Sequence, residues 1–109
     1  EMDCDYVWSG HSQAALKAGV RQEAVDIVAN FGSLDDLTDD ERIIVRFGRE
    51  VVGAHKLSQE AFDAAVSKHG EANTIVLGAL MGHYTMMSCT LIATDTQPDE
   101  GKPYLPKRP

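Results

Sequence analysis

The twenty residues Thr74–Ala93, TIVLGALMGHYTMMSCTLIA, contain no Asp, Glu, Lys or Arg. A helix that is apolar nearly all round has no solvent face to offer, so this one is expected at the buried centre of the fold. Its length approaches that of a membrane span, but Asn73, His83, Thr85, Ser88 and the polar flanks weigh against that reading. Gly78, Ala79 and Gly82 would let a neighbouring backbone come close, whether from the same chain or from a copy of it. A chain of 109 residues covers only part of its surface on folding, so a partner that completes the core is expected.

The rest of the chain is punctuated as short helices. A first segment runs from before Trp8 to about Ala18 and stops at Gly19, with Trp8, His11, Ala15 and Leu16 able to share one face. Val20 to Ala29 reads as a second helix ended by Asn30-Phe31-Gly32. After the acidic link SLDDLTDDE, Thr38 and Glu41 form a capping box for a helix from about Asp39 to His55, where Ile43, Ile44, Phe47, Val51 and Val52 recur at helical spacing. Ser58 caps a fourth helix, Gln59 to His69, with Phe62 and Val66 expected inward and Gly70 as the stop. The fifth runs from Glu71 to about Thr94. Beyond it, QPDEGKPYLPKRP holds four prolines and no periodicity, and reads as an extended tail over 95–109 that must lie on something to be ordered. Strand signals are absent, so the expected fold is all-α: a single domain of about five helices with a proline-rich tail.

Composition narrows the function. A formal charge of −7 argues against nucleic acid and anionic membranes, whose phosphates call for clustered Lys and Arg. Two cysteines, Cys4 and Cys89, make no disulfide framework, and a reducing, cytoplasmic location is expected. No HxxxH or CxxC spacing suggests a metal or a redox pair. His11, one turn from the lone tryptophan and expected on the inner side of its helix, is the first candidate for proton transfer. His83 is the second, because a ring buried in an apolar helix needs a hydrogen-bond partner. His55 and His69 sit at helix C-termini, where a cation is favoured, and are read as structural. Cys4 could act as a nucleophile but lacks a partner thiol, since Val7 stands where the second cysteine of a redox pair would be. Met81, Met86 and Met87 read as adaptable core or pocket lining, and Glu50 as pointing to solvent.

Taken together, the strings YVWSGHSQAALKAGV, LTDDERIIVRFGREVV and HGEANTIVLGALMGHYTMMSCTL, with the tail GKPYLP, resemble the carboxymuconolactone decarboxylase family, which includes the alkylhydroperoxidase D-like proteins. The most specific parts are the aromatic-x-Trp-x-x-His motif at Tyr6, Trp8 and His11 and the Gly-x-Tyr-Thr-Met pattern at Gly82, Tyr84, Thr85 and Met86. The resemblance implies a helical subunit that assembles into trimers or hexamers. It also implies a cofactor-free lyase of aromatic-compound catabolism, with His11 and His83 catalytic and Trp8, Tyr84, Met86 and Met87 lining the substrate. Cys4 and His11 occupy the first and last places of the peroxidase branch's CxxCxxxH motif, but Val7 breaks it. The same Val7 stands where many decarboxylase-branch members carry Glu, and His83 where they often carry Tyr. A helical segment that usually precedes the Trp-His motif is not seen here, which leaves open its removal, its supply by another chain, or a place outside these 109 residues.

Overall fold

The computed structural model describes residues 1–107; the last two positions of the expected tail, 108 and 109, lie outside the described residues. Among the described residues every regular element is helical: α1 (Asp5–Lys17), α2 (Gln22–Asn30), α3 (Asp39–Gly48), α4 (Gln59–His69) and α5 (Glu71–Ala93), with a 3-10 turn at Leu34–Asp36 and a π-helical turn at Arg49–Ala54. Contacts divide the chain into two compact units. One holds Glu1 and Leu34–Met86; the other holds Met2–Ser33 and Met87–Pro109, and α5 belongs partly to each.

In the first unit, α3 packs on α4. Thr38 closes the expected capping box: its hydroxyl accepts from the Glu41 amide at 3.3 Å and its own amide donates to Glu41 at 2.9 Å. Ser58 caps α4 by accepting from the Ala61 amide at 3.2 Å, and Gly70 ends that helix at φ 84°, in the region glycine reaches without strain. The buried apolar residues are Leu37, Phe47, Ala61 and Ala65. Phe62, expected inward, is exposed, because the side of α4 that turns in is the Ala61–Ala65 side, where small residues let the helices approach.

In the second unit, α1 packs on α2 around Cys4, Ala24, Val25 and Ala29. Gly19, at φ 95°, follows the last turn of α1 as expected. α2 ends within the expected Asn30-Phe31-Gly32 stop, with Phe31 itself taking the left-handed conformation at φ 54°. The tail does lie on something: the Leu105 amide donates to the Asp5 carboxylate at 2.9 Å, and Pro98 is buried.

The expectation for α5 is overturned. Ile75 is 73% exposed and Met86 58%, and along the helix only Thr74 and Ser88 are buried. An apolar sequence shows only that a helix needs cover, and this chain does not provide enough of it. α5 is also long and apolar enough to cross a membrane.

Candidate functional site

The expected catalytic pair is carried on α1 and α5, and each residue is described within its own unit. α1 turns Ser9 and Ser12 inward, the Ser9 hydroxyl donating to the Tyr6 carbonyl at 2.7 Å so that a polar side chain can be buried. The Ser12 hydroxyl oxygen is buried with no hydrogen-bond partner. With the serines inside, the face of Trp8 and His11 rotates outward. Trp8 is half-buried and His11 exposed, which corrects the expectation that the imidazole faces the core. Cys4 is 7% exposed, in the extended turn preceding α1, and Val7 is half-buried beside it.

On α5 the His83 and Tyr84 rings meet edge to face at 5.2 Å. His83 is exposed and not buried as expected, so it has no desolvation to offset. Tyr84 is half-buried, and Met86 and Met87 are exposed. Thr85 satisfies its hydroxyl internally by donating to the Met81 carbonyl at 2.8 Å. His55 closes the π turn in a left-handed conformation, and His69 is the last residue of α4, with Nε2 buried and lacking a hydrogen-bond partner. Both stand at helix ends, where the sequence places them.

The most fully wired polar cluster was not anticipated. Glu50, expected to face solvent, is turned back by the π-helical segment onto the start of α4. It accepts from Arg46 Nε at 2.9 Å, from the Ser58 amide at 2.9 Å and from the Ser58 hydroxyl at 3.0 Å. Arg46 also bridges to Glu60 at 3.1 Å. The Ser58 amide, and then the Arg46 guanidinium, hold the Glu50 carboxyl below its ordinary range. Arg46 is raised by Glu60 and Glu50 and stays charged. These bonds tie the π turn to the start of α4. A π turn beside a polar residue is a signal that could have found it, but an i→i+5 turn has no residue signature of its own.

An open depression of about 250 Å³ lies beside this cluster, lined by Asp39, Arg42, Ile43, Arg46 and Glu60 among others. Another, of about 400 Å³, is formed in the second unit by Gln13 and Glu100–Pro103. Neither of these two is lined by a candidate catalytic residue. Among the described residues no group of three His, Cys, Asp or Glu side chains stands close enough to hold a metal ion.

Comparison with family models, with curated proteins and with solved structures finds no match to this chain.

Proposed function

We propose that the chain is a cofactor-free, decarboxylase-like enzyme of the carboxymuconolactone decarboxylase type. Its substrate is a small carboxylated lactone or a related intermediate of aromatic degradation, and it works in the cytoplasm as a homo-oligomer. The observation that carries this reading is the Tyr6-x-Trp8-x-x-His11 arrangement on α1, where an exposed imidazole stands one turn from a half-buried indole. An exposed imidazole is available to a substrate.

The chemistry asks little of the protein. As the carboxylate leaves as carbon dioxide, its bonding pair flows through the conjugated system onto the ring carbonyl oxygen, and a positioned donor stabilises that oxyanion. A proton is then delivered to carbon. His11 serves as the oxyanion donor or the acid, with the half-buried Trp8 indole one helical turn away. Incubation with 4-carboxymuconolactone should release carbon dioxide, and His11→Ala should lower turnover roughly 10²–10⁴-fold. Unchanged turnover in that variant would remove His11 from the reaction.

One observation favours a second reading, a non-redox small-molecule-binding role on the same scaffold. Val7 puts an isopropyl group where a carboxylate would support His11, and no release from folded protein would select this reading. A thiol peroxidase reading through Cys4 is weakened by its burial and by the lack of a resolving cysteine.

A further inference from the structure

The depression beside the Glu50 cluster lies wholly within the first unit and is lined by two arginines one turn apart on α3, Arg42 and Arg46. Each guanidinium is anchored through its Nε–H. Arg42 Nε donates to the Leu34 carbonyl at 3.0 Å and Nη2 to the Leu37 carbonyl at 3.0 Å, so backbone around the 3-10 turn grips the side chain without adding a counter-charge. Arg46 Nε donates to Glu50 at 2.9 Å and Nη2 to the Ser58 hydroxyl at 3.3 Å. Two long side chains are thus ordered before any ligand arrives, which lowers the entropy cost of binding one.

A guanidinium carries five N–H groups in a planar fork. Arg42 commits three of them, to Leu34, Leu37 and the Asp39 carboxylate at 3.0 Å, and one N–H on each terminal nitrogen stays available. Glu60, on α4, sets its carboxylate against Arg46, with Oε1 3.1 Å from Nη1 and Oε2 3.5 Å from Nη2. The Glu60 side chain is 81% exposed, so this is a surface ion pair that opens at little cost. Ile43, Ala61 and Ala64 complete the lining with apolar surface. The volume of about 250 Å³ equals that of roughly eight waters, the size of a short-chain organic acid.

The geometry points to a binding site for a short-chain monocarboxylate, which displaces Glu60 from Arg46, takes the available N–H groups of Arg42 as well, and lays its hydrocarbon on Ile43, Ala61 and Ala64. Glu60 already shows the fork of donors that a ligand carboxylate would occupy. A free acid gains what Glu60 lacks: donors from the second arginine and cover for the apolar lining. The local charge also selects the ligand. A monoanion that replaces Glu60 exchanges one carboxylate for another, whereas a phosphate dianion would add a charge beside Asp39, and a cation would face two guanidinium groups. The chain's charge of −7 opposes any anion at long range, but at physiological ionic strength it is screened beyond about 8 Å. The inference uses α3 and α4 alone and holds whether or not His11 acts on a lactone.

Butyrate titrated into the isotope-labelled full chain, with chloride holding the ionic strength constant, should shift the Nε–Hε resonances of Arg42 and Arg46 saturably in the millimolar range. Butyramide and butylammonium should leave them in place. Glu60→Gln removes the competing carboxylate and should tighten butyrate binding roughly twofold to fivefold. Ala64→Leu fills the apolar side without touching a charge and should weaken binding about tenfold or more, with the circular dichroism unchanged. The absence of a saturable shift in the parent would overturn the proposal, as would undiminished binding in a folded Ala64→Leu variant. Weaker binding in Glu60→Gln would also overturn it, because Glu60 would then be a ligand-holding group and not a competitor. So would inorganic phosphate displacing butyrate at a lower concentration than butyrate itself needs, which would make the two arginines a site for dianions.

Discussion

Glu50 accepts the backbone amide of Ser58 at 2.9 Å, so a carboxylate in a π-helical turn holds the first turn of the next helix in place. The same Ser58 hydroxyl that donates to Glu50 accepts from the Ala61 amide, which makes the cap of α4 depend on a residue eight positions upstream.

Replacing Glu50 with Gln should therefore lower stability at neutral pH by roughly 1–2 kcal/mol, since the hydrogen bonds it weakens involve a charged acceptor. Urea unfolding of the two proteins at pH 7 measures the difference. Glu60→Gln, which touches only an exposed carboxylate, should change the midpoint much less.

The pH dependence has a defined sign. The folded-state pKa of Glu50 lies below its ordinary value of 4.5, so its stabilisation is fully present above that value and is lost as pH falls through the depressed one. Acid unfolding of the parent should steepen below about pH 4.5. In Glu50→Gln that added steepness should disappear, and an unchanged acid limb would show that Glu50 does not contribute.

Thr38→Ala removes the acceptor of a complete capping box and should cost about 1 kcal/mol. The loss should appear as a lower thermal midpoint with unchanged helix content at 20 °C or so, because packing of α3 on α4 still holds the helix in the folded state.

Two cysteines should report two environments. Cys4, buried ahead of α1, should resist alkylation until the protein unfolds. Cys89 is exposed on α5 and should label quickly in the folded protein. Mass spectrometry of partly alkylated samples separates the two.

Asp5→Ala removes the acceptor of the Leu105 amide, the long-range hydrogen bond that ties the tail to α1. Chymotryptic cleavage after the exposed Tyr104 should then accelerate several-fold, with the helical core left intact.

What could be read in advance follows how local its cause is. Thr38, Ser58, Gly19 and Gly70 set helix ends through bonds and dihedral angles within a few residues, and the chain has helix boundaries where those residues indicate them. Within the expected Asn30-Phe31-Gly32 stop it is Phe31 that takes the left-handed conformation, which a residue-by-residue preference disfavours but does not forbid. Glu50 was hidden because its direction depends on one extra residue in a helical turn. For α5 the apolar run fixed the need for burial without naming what buries it, and a single chain leaves that need unmet. His11 and His83 were visible as residue types, but their exposure was set by which neighbours turned inward: Ser9 and Ser12 on α1, Thr74 and Ser88 on α5.

The π turn at Arg49–Ala54 bears on how this chain tolerates changes of length. A π turn carries one residue more than the α-helical turn it replaces, so a chain shortened by one residue there could continue as an ordinary helix. The helix would survive such a deletion. The rotation that aims Glu50 at Ser58 would not, and α4 would begin without its upstream brace. The surplus residue is thus the joint that aligns two otherwise ordinary helices, and it can be removed only by letting them come apart.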